Sequence, residues 1–186
     1  MDELFLIKKS TLVGIADAIR ARSGDKDDIP VTDLSVRIST PVSNAESDAK
    51  WITCNITSIT NDVAQSIGNY AFYMNSNLTY VDLPSVKEIY GYAFQYCYSL
   101  TSASIPSATY IGEYAFDRCT NITSAIFPNA TYIGEYAFRY CYELNTMDFK
   151  NVVDVCNNAF QFCESLDSID LPMVTYLNES TFSGCE

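Results

Sequence analysis

The most restrictive feature of this sequence is a phenylalanine that returns every 22 residues. The six copies are Phe72, Phe94, Phe116, Phe138, Phe160 and Phe182. A cysteine follows three residues later in every copy but the first, and an aliphatic residue lies five positions before each phenylalanine. A fixed period in the twenties is typical of a solenoid, in which one coil of the chain is one repeat. No single coil can bury its apolar face alone, so stacked coils must share one core.

Each copy also carries an apolar pattern of the form L-x-x-L-x-L, as in Leu78, Val81 and Leu83. Its last two members alternate, which predicts a strand with one buried face. Proline follows at Pro84, Pro106, Pro128 and Pro172, and it ends strand pairing because it has no N–H to donate. Strands from successive coils should therefore pair into one parallel sheet.

The position that usually holds asparagine in leucine-rich repeats holds Val86, Ala108, Ala130, Val152 and Val174. The pattern L-x-x-I-x-L-P followed by I-G-x-Y-A-F-x-x-C is clearest in 110–116 and 132–138. It resembles the BspA-like leucine-rich repeat family over about residues 51–186. The resemblance implies an α/β-type repeat solenoid, a leucine-rich repeat with parallel strands of period 22. It also implies a curved binding surface, often in surface adhesins, and names no ligand.

Residues 1–38 are predicted to form a small helical head of two short helices. Leu12, Ile15, Ala16 and Ile19 recur at helical spacing, and Gly24 ends the first helix. The stretch 12–24 resembles the "L-x-x-I-A-D-A-I-R-x-K-x-G" head of phage and prophage tail-associated proteins, with arginine at position 22 where lysine is common. That resemblance implies that the head docks to a virion tail component and that the repeats face outward.

Residues 39–50 are small and polar and are interpreted as a linker. The solenoid then spans 51–186, beginning with a worn N-terminal cap repeat at 51–64 and ending with a truncated last repeat. Terminal repeats are atypical because one face meets water or a cap. A strand edge left open at the C-terminal end would pair with another chain, so a homo-oligomer through that edge is one expectation.

The net charge is −12 and the chain contains no histidine. Phosphate binding needs a cationic surface, so we expect no nucleic acid partner and no anionic membrane. Without histidine or a glycine-rich phosphate loop, the sequence predicts no enzyme, no cofactor and no metal site. Asp148 and Asp170 should lie on neighbouring strands and face the same side of the sheet, where paired carboxylates can do acid–base work or hold Ca²⁺. The alternative is a solvated polar sheet face.

Five of the seven cysteines fall in one column of the repeat, which predicts a reduced ladder in the core rather than a disulfide scaffold. The first residues are acidic and their apolar run is too short for a signal peptide, so no signal peptide is expected. We expect a protein made in a bacterial cytoplasm and located on a virion or outside the cell.

Two surfaces are candidates for binding. The outward strand positions include Tyr80, Asp82, Asp148 and Asp170 and are otherwise mostly small and polar. A second strip lies one, two and four residues after each phenylalanine, and it varies between copies while its neighbours do not. Its candidate contact residues are Tyr73, Tyr96, Tyr98, Arg118, Arg139, Tyr140, Tyr142 and Phe162. Such variation predicts exposure, and tyrosine gives a large contact area at low entropy cost. The alternative is that these tyrosines merely cover the core edge between coils.

Three functions therefore stand open. The first is a non-enzymatic recognition module on a phage or prophage tail that binds a surface protein or glycan of a bacterial host. The second is a bacterial cell-surface adhesin of the same repeat class. The third is a self-assembling structural protein that uses the open strand edge.

Overall fold

The structure is a computed structural model of the 186-residue chain, and it describes residues 57–60, 62, 64–177 and 180–185. The predicted helical head at 1–38 and the linker at 39–50 lie outside the described residues, as does most of the first half of the cap repeat. What the structure describes is the repeat region.

Ten short strands alternate along this region between two parallel sheets. In chain order they are β1 (Ser58–Thr60), β2 (Ser66–Ile67), β3 (Tyr80–Asp82), β4 (Glu88–Ile89), β5 (Ser102–Ser104), β6 (Tyr110–Ile111), β7 (Ser124–Ile126), β8 (Tyr132–Ile133), β9 (Thr146–Asp148) and β10 (Asp154–Val155). The first sheet has the order β1-β3-β5-β7-β9 and the second the order β10-β8-β6-β4-β2. The described region is therefore a β-solenoid in which each strand-bearing coil adds one strand to each sheet, where the sequence predicted a single sheet.

The sequence period sets the register of both sheets. Val81 pairs with Ala103, and Ile111 pairs with Ile133, so each partner lies one repeat further along the chain. The first coil follows the same rule although its sequence is worn, because Ile59 pairs with Val81 and is fully buried.

The core is a continuous stack of phenylalanine rings, as predicted. Phe94, Phe116 and Phe138 are inaccessible to solvent, and successive rings lie 5.0 and 5.1 Å apart with nearly parallel planes. A second stack, Phe127 on Phe149, packs against the first at an angle. Each ring is therefore held between its counterparts in the coils before and after it.

The cysteine column is a reduced ladder, which confirms the expectation from the sequence. Cys97, Cys119, Cys141 and Cys163 are buried free thiols. Each donates its S–H to the phenylalanine carbonyl of the preceding coil, at 3.1 to 3.2 Å. Cysteine thus fills a small apolar site and also satisfies a buried carbonyl.

The α/β character implied by the resemblance is not found in the described coils, which contain strands and turns but no helix. The reason lies in the backbone around each phenylalanine. Tyr92 and Tyr96, two residues on either side of Phe94, have φ of 61° and 63°, which interrupts a right-handed helix. The amides of all three donate to carbonyls one coil further on, so none makes the i to i−4 bond of a helix.

The last repeat departs from the predicted strand. Residues 168–170 form no strand in the described region, and Ile169 is half-buried against the core. Asp170 therefore does not lie on a strand beside Asp148, and the expected carboxylate pair on neighbouring strands is wrong. At the same end, Leu177 is 41% exposed where its counterparts in earlier coils are buried.

Within the described region there is no helix long and apolar enough to cross a membrane.

Candidate binding surface

The outward face of the first sheet carries the polar side chains that the alternation predicts. Tyr80 is 39% exposed on β3, and Asp82 beside it is half-buried. Asp148 lies on β9, three strands away, where Lys150 donates to its Oδ2 at 3.3 Å. The predicted residues Tyr80 and Asp82 are thus together, whereas Asp148 and the exposed Asp170 are separate from them. This face offers a shallow polar surface rather than a cluster.

The residues two positions after the first five phenylalanines form a row along the coils, here called the stacked row: Met74, Tyr96, Arg118, Tyr140 and Phe162. Their φ values lie between 59° and 63°. The guanidinium of Arg118 lies over the ring of Tyr140 at 4.4 Å and near that of Tyr96 at 5.8 Å. Tyr140 in turn stacks on Phe162 at 4.9 Å. Apart from Met74, these side chains are half-buried because they cover one another.

The residues one position after each phenylalanine are more buried than the sequence predicted. Gln95 is 6% exposed and Asp117 is fully buried, so the expectation that both are solvent-exposed is wrong. Gln95 Nε2 donates to Asp117 Oδ2 at 2.7 Å, and Arg139 Nε and Nη2 donate to the two Asp117 oxygens at 2.9 and 3.2 Å. Asp117 thus accepts charge-assisted bonds from both neighbouring coils.

Arg139 contacts both this polar network and the neighbouring tyrosines. Its guanidinium lies 4.6 Å from the ring centroid of Tyr136 and 5.2 Å from that of Tyr114. The hydrogen bonds to Asp117 raise the pKa of Arg139, so the guanidinium stays charged. Variation between copies therefore reflects complementary partners in adjacent coils, at least at these positions, and does not by itself indicate exposure.

The outer rim of the predicted strip is only partly exposed. Tyr98 is 41% exposed and its ring lies 5.9 Å from that of Tyr96. Tyr142 is half-buried and meets Tyr140 edge-on at 5.9 Å, and Tyr73 is half-buried and contacts Tyr96 edge-on at 5.5 Å. The strip thus combines both alternatives from the sequence, since its inner residues cover the core edge and Tyr98 on its rim faces solvent.

A groove on the second sheet was not among the residues selected from the sequence. It encloses about 530 Å³, and we call it the tyrosine–carboxylate groove after its walls. Its principal lining residues are Tyr90, Tyr110, Tyr132, Glu113, Glu135 and Asp154. Tyr110 and Tyr132 stack at 5.0 Å with planes 4° apart.

Close packing of the coils aligns these walls. A Cβ at Gly134 would lie 2.6 Å from the backbone nitrogen of Glu113, so glycine is needed for the backbones to approach this closely. The thiol of Cys156 donates to the Tyr132 hydroxyl at 3.1 Å, and this bond raises the pKa of Tyr132. Burial raises the pKa of Tyr110, and the charge of Glu113 adds to the effect. Both phenols are therefore neutral at physiological pH.

A signal for this groove is present in the sequence, where Tyr-Ile-Gly-Glu occurs at 110–113 and again at 132–135. The two-residue strands β6 and β8 turn the isoleucines inward and the tyrosines outward, which places both tyrosines on one wall. In the described part of the chain, no group of three or more His, Cys, Asp or Glu residues could hold a metal ion.

Comparison with known proteins supports the repeat assignment. The family described as "BspA type Leucine rich repeat region" matches residues 47–154 in six copies. Comparison with the curated proteins found no match.

Two solved structures are similar to this chain. A leucine-rich cell surface protein from Faecalibacterium prausnitzii A2-165 is 27% identical, with a TM-score of 0.50 over 61% of this chain and 38% of that one. A leucine-rich repeat protein from Eubacterium ventriosum is 16% identical, with a TM-score of 0.48 over 69% of this chain and 42% of that one. This chain therefore spans less than half the length of either structure.

Proposed function

Because the chain belongs to the BspA-type leucine-rich repeat family, we propose that it is a non-enzymatic recognition module that binds a protein or glycan on a bacterial surface. Leucine-rich repeat proteins of this type generally act in binding or adhesion. The cell surface protein from Faecalibacterium prausnitzii, which shares the fold, supports a place at a cell surface.

The observation that carries this proposal is the pair of rim tyrosines, Tyr98 and Tyr142. Each projects from a coil whose core side chains are buried, and each packs against a tyrosine of the stacked row. A ring supported in this way already has restricted rotamers, so it loses little conformational entropy on binding. Its contact area therefore contributes more fully to affinity. The guanidinium of Arg118 lies between the rings of Tyr96 and Tyr140 and adds hydrogen-bond donors for a polar ligand.

Chemistry at this surface is disfavoured by the same contacts. The carboxylate of Asp117 is fully buried and committed to Gln95 and Arg139. Asp148 has Lys150 as its partner, and Asp170 lies away from it. The charged groups therefore serve packing and orientation rather than proton transfer.

We place the module on a phage or prophage tail, with residues of the head at about 4–40 as its mount. The support is the head motif in the sequence. A bacterial cell-surface adhesin is the second candidate, and the fold shared with a named cell surface protein favours it. Neighbouring genes for tail and lysis proteins would support the first, and neighbouring genes for surface anchoring would support the second.

The binding proposal is tested with the double variant Y98A/Y142A. The labelled full chain is incubated with cells of gut bacteria, and bound protein is measured by flow cytometry. We expect the variant to lose at least about tenfold in affinity, since aromatic anchors dominate such interfaces. M173A removes a 55% exposed side chain outside the strip and serves as the control. Unchanged cell binding by Y98A/Y142A would contradict the proposed site.

A further inference from the structure

The molecule itself shows how its tyrosines and carboxylates hold a guanidinium. Tyr114 and Tyr136 stack at 4.8 Å, and the guanidinium of Arg139 lies over both rings. Its N–H groups bond both oxygens of Asp117. A stacked tyrosine pair with an adjacent carboxylate is thus a guanidinium site in this fold.

The tyrosine–carboxylate groove repeats these components without the cation. Tyr110 and Tyr132 stack at 5.0 Å, and Glu113 and Glu135 follow them in the same two coils. Asp154 adds a third carboxylate, while the lining contains no lysine or arginine. Among the described residues, none of these three carboxylates forms an ion pair with a basic side chain.

The geometry of the groove fixes its rings before any ligand arrives. The Tyr90 hydroxyl donates to Glu88 Oε2 at 2.7 Å, and Cys156 holds the Tyr132 hydroxyl. The volume of about 530 Å³ is within the range of sites that enclose a side chain with its flanking residues. These features describe a preorganised site rather than a solvated acidic surface.

We propose that this groove binds an arginine side chain presented by a basic segment of a partner protein. The planar guanidinium can lie against the tyrosine rings and direct its N–H groups at the carboxylates, as Arg139 does within the fold. Lysine offers a point charge without the planar fork, and a neutral sugar would leave the carboxylates uncompensated. The net charge of −12 attracts a basic segment at long range.

This site is separate from the rim tyrosines of the proposed function and does not depend on it. The test is fluorescence anisotropy with the full chain and a short fluorescein-labelled Gly–Ser peptide that carries two arginines. The matched probe carries citrulline, which has the same shape as arginine but no charge. We expect the arginine peptide to bind at least about tenfold more tightly than the citrulline peptide, and more tightly than the lysine analogue.

Variants separate the groove from general acidity. E113Q/E135Q should lose about tenfold or more in affinity for the arginine peptide, and Y110L should weaken it several-fold through the lost ring. E143Q/E164Q removes the same charge from exposed positions outside the groove and should bind like the unmodified chain. Circular dichroism of each variant verifies that the fold is retained.

Three results would overturn the proposal. One is equal binding of the arginine and citrulline peptides, and another is an equal loss in E113Q/E135Q and E143Q/E164Q, which indicates diffuse charge attraction. The third is binding of a neutral glycan that requires the ring of Tyr110 but neither Glu113 nor Glu135. Because the groove variants keep Tyr98 and Tyr142, cell binding through the rim can fail or succeed independently of these outcomes.

Discussion

The substitution of Phe116 by alanine removes a ring from the middle of the phenylalanine stack. The Phe116 ring is fully buried and stacks between Phe94 at 5.0 Å and Phe138 at 5.1 Å. It also contacts Phe127 at 5.6 Å. Backbone hydrogen bonds from the coils on both sides hold this site in shape, so it cannot collapse around the missing ring.

The expected loss follows from burial and packing. Removing a fully buried phenylalanine costs about 3–5 kcal/mol of the free energy of unfolding, and three ring contacts place this site near the upper end. Phe182 provides a matched control because it is half-buried and its ring stacks on Phe160 at 5.4 Å. Its replacement by alanine should cost about 1–2 kcal/mol, in proportion to the smaller buried area.

Urea unfolding followed by far-ultraviolet circular dichroism measures both losses. F116A should lose at least twice as much free energy of unfolding as F182A. Equal losses would mean that the ring stack is not a shared core, and a loss below about 1 kcal/mol at Phe116 would mean that its ring is not enclosed.

Three further predictions address the network, the close packing and the thiols. Replacing Asp117 by alanine should cost about 1–3 kcal/mol in urea unfolding because Gln95 and the half-buried Arg139 lose the carboxylate that accepts their hydrogen bonds, and a cost below about 0.5 kcal/mol, typical of surface sites, would contradict the network. G134A should cost about 1–3 kcal/mol because its Cβ would lie 2.6 Å from a backbone nitrogen, and a neutral effect in thermal unfolding would refute that contact. Cys119 and Cys141 should resist iodoacetamide at pH 8 in the folded protein, since burial raises both thiol pKa values and blocks access; rapid labelling detected by mass spectrometry would place them at the surface.

The repeat period determined most of the fold from sequence alone. A constant step between phenylalanines requires each coil to pair with the next in register, and the pairings Ile59–Val81 and Val81–Ala103 follow from it. The sequence period could not show whether the segments between the strands are helical, as the resemblance implied. Stretches such as residues 92–96 are too short to display a helical periodicity of their own. Their left-handed φ values arise from bonds to the next coil, which no local propensity encodes.

The candidate site was harder to derive because exposure was inferred from variability. Gln95, Asp117 and Arg139 differ between copies, yet they vary as partners of one another across coils. The groove was missed for a related reason. Tyr110 and Tyr132 lie in successive coils, and only the stacking of those coils brings their rings together as one wall.

Hydrogen exchange of single amides, followed by NMR, tests the stacked-coil account most directly. The amides of Phe94, Phe116 and Phe138 each donate to an alanine carbonyl one coil further on, at 2.7 Å, so they can exchange only when coils separate. The account predicts that these three amides share the slowest exchange, while the amide of Tyr98, which bonds within its own turn, exchanges much faster. Exchange of the three phenylalanine amides as fast as that of Tyr98 would contradict the solenoid.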